Sequence, residues 1–408
     1  MFKTRQKGHH IPRLTEPQMV LSDQFEKYLN QKPNDENGVL YFHIPFCDNI
    51  CSFCNLNRVK INDEIQAYTN FLIQSIKYYS KFEYIQNKIF KSIYFGGGTP
   101  TILKNVQIEQ LFKAINENFR IAKDVEFSSE STLHNLSISK LNLMKSLGVN
   151  RYSFGVQTFS DNGRKILNRK GSCESAIKKL ENIRENFDGL VCADIIYNYP
   201  NQTIYEVKND AKILKELKID SVSFYSLQFH KGSKFFKKFN SDYYDLSYDL
   251  ALHDAFIDEM LDENYEILEY TKLNRKNRDR YLYIKLSNQG VDILPIGNGA
   301  AGRIGKYSIM TDSGKNMIFK NSQNSIEFSN FAKLFQYPKI NLSDISKFLD
   351  EEFFKKEMDF FKKCENLGYV EITKDEIIFN KSGIFWGNTI ALNVINISKE
   401  YFLKKGEK

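Results

Sequence analysis

Three cysteines stand close together in the pattern Cys47-x3-Cys51-x2-Cys54. They are too close for a disulfide framework, and three thiolates on one tight loop hold a metal centre with one position left open. That suits a 4Fe–4S cluster with one iron free to take a small ligand. A structural zinc site wants a fourth ligand at similar spacing; Asn55, Leu56 and Asn57 supply none, and His43 lies inside the preceding apolar run. Cys173, Cys192 and Cys364 stand singly in apolar or amphipathic segments, where a thiol behaves as a small hydrophobe. A second signal is Gly96-Gly97-Gly98-Thr99-Pro100, whose glycines let backbone groups approach the charged end of a small molecule. Alone, such a run is often only a turn. One strand after the cysteine loop, it reads as part of the same site.

Residues of this kind need a scaffold that gathers separate loops at one end, and the hydrophobic pattern supplies it. Short apolar runs at 39–46, 91–97, 125–131, 151–157, 191–199 and 221–228 alternate with amphipathic segments at 64–82, 106–119, 137–147, 173–187 and 205–217. Strand and helix alternating in this way predict an α/β fold, a partial (β/α)6 TIM-like barrel with functional residues at the C-terminal ends of its strands. The expected divisions are an N-terminal extension (1–37), the barrel with its following helical and glycine segments (38–305), and a helical, winged-helix-like appendage (306–408). The last holds a helix at 350–367, a hairpin near Thr373 and a closing helix from Phe385. Between barrel and appendage lie a helix at 243–261 and a basic loop, KLNRKNRDR (272–280).

Composition bounds what this scaffold serves. Hydrophobic residues make up 42% of 408 positions and aromatics 14%, enough apolar side chain to order two or three domains. No apolar window reaches membrane-spanning length and the N-terminus lacks an apolar signal core, so the expectation is a cytoplasmic protein with no membrane span. The net charge of +7 is spread along the chain, which argues against nucleic acid and suits an anionic small molecule.

Taken together, the motifs resemble the radical S-adenosylmethionine (SAM) enzymes, in the branch related to oxygen-independent coproporphyrinogen oxidase. The resemblance is carried by YFHIPFCDNICSFC (41–54), YFGGGTPT (94–101), NRYSFGVQTF (150–159), Asn168-Arg169 and Asp194, and covers about 39–305 well. It implies a 4Fe–4S cluster on Cys47, Cys51 and Cys54, and SAM chelated by the open iron and cleaved after one-electron reduction. A flavodoxin, a ferredoxin or reduced flavin would be the donor. Residue by residue, Tyr41 and Phe53 would flank the adenosyl group and the cluster, and Gly97, Gly98 and Thr99 would meet the methionine end. Glu130 would lie near the amino group, Arg169 near the carboxylate, and Gln157 and Asp194 on the ribose. Ser226 joins them at the end of its strand. One departure stands at Glu130, followed here by Ser131-Thr132-Leu133 where the family has an asparagine or aspartate before proline.

Within the branch, the oxidases carry a further cysteine where this chain has Leu56, and the haem chaperones follow the third cysteine with a run only partly matched by Asn55-Leu56-Asn57-Arg58. The anaerobic haem-degradation methyltransferases, or anaerobilin synthases, resemble it more: RDRYLY (278–283), DILPIGNGAAGRIGKYS (292–308) and GIFWGNTIALNVI (383–395), with Trp386 and Asn388, look like that group. The expected activity is opening of the haem porphyrin, with release of iron and a linear tetrapyrrole. A haem chaperone is the first alternative and an oxygen-independent coproporphyrinogen III dehydrogenase the second. Haem or a related porphyrin brings two propionates that need cations, for which Arg303, Arg278 and Arg280 are the candidates, the last two within a cluster that also holds Lys272, Arg275 and Lys276. The plain reading of that cluster is a solvated loop, and of Trp386, core packing. His9, His10, His134, His230 and His253 include candidate iron ligands.

Overall fold

Strands and helices alternate as the hydrophobic pattern predicts. The structure, a computed structural model, describes residues 2–8, 11–239 and 243–405. Six strands, β1 (Asn37–Ile44), β2 (Ile89–Gly97), β3 (Ile121–Ser131), β4 (Arg151–Gln157), β5 (Leu190–Tyr197) and β6 (Ser221–Ser226), pair in parallel in chain order. The crossovers carry the helices Ile65–Tyr79, Asn105–Asn118, Ile138–Ser146, Cys173–Asn186 and Ile204–Glu216. Side chains fix several of their starts. Ser137 and Ser172 each accept the amide three residues on, and Thr203 forms a reciprocal capping box with Glu206.

Alternate side chains along a strand face opposite ways, so each run sorts its residues between two environments. One set is apolar and packs under the helices, as with Leu40, Phe42, Ile93, Phe95, Phe154 and Ile195. The other set is polar and meets inside the barrel: Tyr94 reaches Glu130, Ser153 faces Asp194, and Ser223 meets Lys272. The barrel interior is therefore a buried polar core, not the branched-aliphatic filling usual for such barrels.

The sheet continues past both edges of the six strands, to thirteen strands in all. Beside β6 lies an antiparallel hairpin, β7 (Tyr265–Glu269) and β8 (Lys272–Arg275). Beside β1, β9 (Asp292–Ile296) pairs in parallel and leads into a meander of β10 (Ala301–Ile304), β11 (Tyr307–Asp312) and β12 (Lys315–Lys320), on which the strand Gln18–Val20 closes. Two expectations change here. The stretch at 272–280 begins as a strand, because acids await its cations: Asp220 takes Arg184, Arg275 and Arg278, and buried Asp279 takes Arg151 at 2.9 Å. The boundary at 305 falls inside the meander, where Gly305 (φ 53°) lets the chain turn straight back into the sheet.

After Asp279 the chain turns into the base of the barrel. Glu126 accepts the backbone N–H of Leu282 at 3.0 Å, and the ring of Tyr283 stacks on Tyr94 and Tyr41, 4.6 and 5.9 Å away. The C-terminal region forms a second core on the helices Glu351–Asn366 and Lys381–Lys405 and a three-stranded sheet of Lys339–Asn341, Val370–Ile372 and Glu376–Phe379. Trp386 belongs to that core, its ring 5.3 Å from Phe2. The N-terminal residues thread between the two cores. The Arg5 guanidinium donates to Asp249, the Tyr197 hydroxyl and the Phe385 carbonyl, and lies on the Phe385 ring. No helix among the described residues is long and apolar enough to cross a membrane.

Candidate active site

A cavity of about 330 Å³ opens at the C-terminal ends of the parallel strands. Its walls include Cys47, Cys51, Phe53 and Cys54 from the loop after β1, and Gly97, Gly98 and Thr99 after β2. Glu130, Gln157, Asp194 and Ser226 come from β3 to β6, and Arg169 from the loop after β4. Residues spread over 180 positions of sequence thus face one space, because each follows or ends a parallel strand.

The cysteine loop leaves a two-residue strand, Phe46–Cys47, paired in parallel with Val59–Lys60, and beyond it is irregular and held by neighbours. Asn49 donates to the Asn168 carbonyl at 2.7 Å, Asn168 to the Ile50 carbonyl at 2.8 Å, and the Ser52 hydroxyl to the Ile166 carbonyl at 2.9 Å. Lys170 pairs with Asp48 at 2.6 Å. Asn168, at φ 55°, bends the 166–170 segment so that Arg169 points back at the thiols, its Nη1 2.9 Å from Cys51 Sγ. The other Nη donates to the Gly155 carbonyl, and Nε has no partner. Burial pushes the Cys47 thiol up to about 11, with Cys51 and Cys54 adding to the rise. Three such thiols become thiolates together only around positive charge, as an iron–sulfur centre supplies. Among the described residues no three Cys, His, Asp or Glu side chains converge as a single metal ion requires.

The glycine loop works differently from the sequence reading. Its amides are already used: Gly97 donates to Glu130 at 3.0 Å, Gly98 to the Ile44 carbonyl and Thr99 to the Phe46 carbonyl, both at 2.8 Å. A Cβ on Gly98 would lie 2.6 Å from the Phe46 carbonyl, so this glycine lets the ends of β1 and β2 touch. The Thr99 carbonyl already accepts from the Ile102 amide at 3.0 Å, so the loop offers a ligand its glycine carbonyls and the Thr99 hydroxyl, which also lies 3.6 Å from Cys47 Sγ.

Glu130 accepts from Gly97 and from Tyr94 at 2.9 Å, yet burial, and then Asp194, push its carboxyl up to about 7. Burial also raises Asp194. Two buried carboxyls facing one cavity favour a cationic or hydroxyl-rich ligand. Gln157 sits at φ 72°, a strained conformation for a side-chain-bearing residue. The strand end after it is clamped by Asp210, which accepts from the Phe159 amide at 2.7 Å and the Thr158 hydroxyl at 2.9 Å. Ser226 donates to Asp249 at 2.8 Å, tying the cavity wall to the Arg5 network.

Four expected residues lie elsewhere. Tyr41 is in the barrel interior, where its hydroxyl donates to His43 Nδ1 while His43 Nε2 donates to the Asn57 carbonyl. Arg278 is bound to Asp220, just before β6, and Arg280 to Asp124, in the first half of β3, at the far end of the barrel. Arg303 donates to the carbonyls of Gly290 and Gly305 in the meander. Of the candidate histidines, His230 lines the cavity; His134 is half-exposed near Asp48, and His253 is buried against Phe385. His9 and His10 lie outside the described residues.

The sequence reading missed Ser153, Tyr225, Gln228 and Arg58, which also line the cavity. Strand alternation could have found the first two, since Ser153 shares a face of β4 with Gly155 and Tyr225 a face of β6 with Ser223. Nothing periodic marks the loops that carry the others.

Residues 41–214 match the model of the radical SAM superfamily. The chain carries a radical SAM domain. One solved structure it resembles in fold is coproporphyrinogen III oxidase (HemN) from Escherichia coli, with a TM-score of 0.79 at 21% identity over 91% of this chain and 93% of that one. Among curated relatives, it is 27% identical to anaerobilin synthase of Escherichia coli O157:H7 over 72% of this chain, spanning 66% of the synthase's length. It is 24% identical to heme chaperone HemW of Buchnera aphidicola over 90% of this chain and 98% of that protein. These relatives place the radical SAM domain in the branch that also holds the oxygen-independent coproporphyrinogen oxidases, and the superfamily implies a 4Fe–4S cluster and SAM.

Proposed function

We propose that this chain binds a 4Fe–4S cluster on Cys47, Cys51 and Cys54, binds SAM beside it, and opens the haem macrocycle by radical methyl transfer in the absence of oxygen. The observation that carries this is the convergence of the three thiols, the committed glycine loop, Glu130, Asp194, Gln157 and Arg169 on one cavity. A 4Fe–4S cluster held by Cys47, Cys51 and Cys54 would supply one-electron reduction of SAM and, through it, radical chemistry. The chain's residues bind and orient. Glycine carbonyls of the Gly97–Thr99 loop and the Glu130 carboxylate suit the SAM ammonium, and the unpartnered Nε of Arg169 suits its carboxylate. Asp194 and Gln157 suit the ribose hydroxyls. Ile196, Leu227 and His230 give the same cavity an apolar wall and an imidazole for a flat macrocycle, and Arg58, whose Nε is also unpartnered, gives it a cation. The likeness to anaerobilin synthase supports haem as substrate.

A second reading has its own support: the match to heme chaperone HemW runs nearly end to end in both proteins. The two separate in one experiment. Protein reconstituted with iron and sulfide is incubated anaerobically with haem, SAM and a reductant. Loss of the Soret band with a linear tetrapyrrole product is expected; a stable bound-haem spectrum overturns ring opening in favour of the chaperone.

A further inference from the structure

The loop after β6 carries HKGSKFFKKF (230–239), a basic and aromatic run with no part in the cavity beyond its first residue. Its short helix, Lys234–Lys238, is fastened to the cysteine loop: the Phe235 amide donates to the Ser52 carbonyl at 2.7 Å, and the buried Phe235 ring packs in a small core that Phe53 also touches. Lys234, Lys237 and Lys238 fall at i, i+3 and i+4, on one side of that helix. All three are exposed, as are Lys231 and Phe236, the latter at 43%. Among the described residues none of these lysines has an acidic partner, although the chain pairs many of its surface lysines elsewhere. Like charges at this spacing repel and weaken the helix that carries them. The helix Asp161–Ile166, which carries the exposed Lys165, also holds the cysteine loop, its Ile166 carbonyl accepting from Ser52.

We infer that this lysine face is where an acidic one-electron carrier protein docks to reduce the cluster. The inference rests on the cluster reading above, since only a redox centre in the cysteine loop gives the carrier a reason to bind there. Positive charge beside the cysteine loop complements a carrier with a negative rim about its own cofactor, and complementary rims steer encounter more than they tighten the final complex. The loop between the second and third thiols lies one hydrogen bond from the patch. One electron passes from the reduced carrier to the cluster; the carrier leaves one electron poorer, and no bond or proton is exchanged.

The test uses the full chain and a reduced flavodoxin as carrier, with the triple variant Lys234→Glu, Lys237→Glu, Lys238→Glu and a milder triple Lys→Gln variant. Two readouts are taken: SAM cleavage driven by flavodoxin or by dithionite, and the affinity of oxidised flavodoxin by titration at low and high salt. Expected is a fall of about tenfold or more in flavodoxin-driven cleavage and in low-salt affinity for the Glu variant, a smaller fall for the Gln variant, and unchanged dithionite-driven cleavage. Unchanged flavodoxin affinity and flavodoxin-driven cleavage overturn the docking face. If dithionite drives no SAM cleavage even in the parent protein, the cluster reading fails, and the affinity data still decide the surface.

Discussion

At the scale of single residues, the cavity's chemistry rests on a few side chains whose loss has separable signatures. Cys51→Ala removes one of three thiols and the partner of Arg169, so anaerobic reconstitution should give no stable charge-transfer absorption and no SAM cleavage. Retention of either would remove the cysteine loop from the chemistry. Glu130 gives a pH signature. Its carboxyl is held up to about 7 by burial and by Asp194, with Tyr94, the Gly97 amide and Arg151 opposing. It is therefore neutral below that pH and charged above it, and an ammonium pairs only with the charged form. SAM affinity measured by calorimetry should rise between about pH 6 and 8, while Glu130→Gln should flatten the profile and weaken binding at the upper end by about tenfold or more, the worth of one charge-assisted hydrogen bond.

At the scale of elements, the parallel strands and their crossover helices were legible because each run carries a clear period of two or 3.6. The edges were not. The hairpin at 265–275 hid in what read as a solvated basic loop, since the acids that discharge it, Asp220 and Asp279, lie far off or at its own end. The site residues at strand ends were legible from type and position together. Arg278, Arg280 and Arg303 were not, because charge alone says nothing about which end of a barrel a loop closes. One buried group in the C-terminal helices was invisible for the same reason. Glu357 on Glu351–Asn366 is fully buried against the Ser398 hydroxyl, and burial pushes it up to about 8. The unfolded chain ionises this group near its ordinary value of 4.5, so the folded state binds the extra proton between the two values. Stability is thus greatest below the lower value and falls as pH rises towards the upper, by on the order of 4 kcal/mol in all. Glu357→Gln should unfold at a higher temperature than the parent at pH 8 and at nearly the same temperature at about pH 5.

At the scale of the whole molecule, one buried ion pair joins the barrel, the N-terminal segment and the C-terminal helix. Asp249 holds Arg5 at 2.8 Å and also accepts from Ser226 on the cavity wall and from Tyr244, while Arg5 reaches the Phe385 carbonyl at 2.9 Å. Arg5→Ala leaves Asp249 buried without its cation, and thermal unfolding should show a loss of about 3–5 kcal/mol. A change in SAM affinity on this substitution would show that the tie also shapes the cavity through Ser226. The bond from Arg5 to Phe385 closes a separation of 380 residues. A chain emerging from the ribosome makes Tyr197 and Asp249 long before Phe385, so Arg5 can gain its ion pair early but its bond to Phe385 only late. Closing so long a loop comes late, after the barrel has collapsed. A chain stalled before residue 385, lacking Trp386 and Thr389 against Phe2 and Gln6, should therefore leave residues 2–8 more open to a protease than the folded chain does.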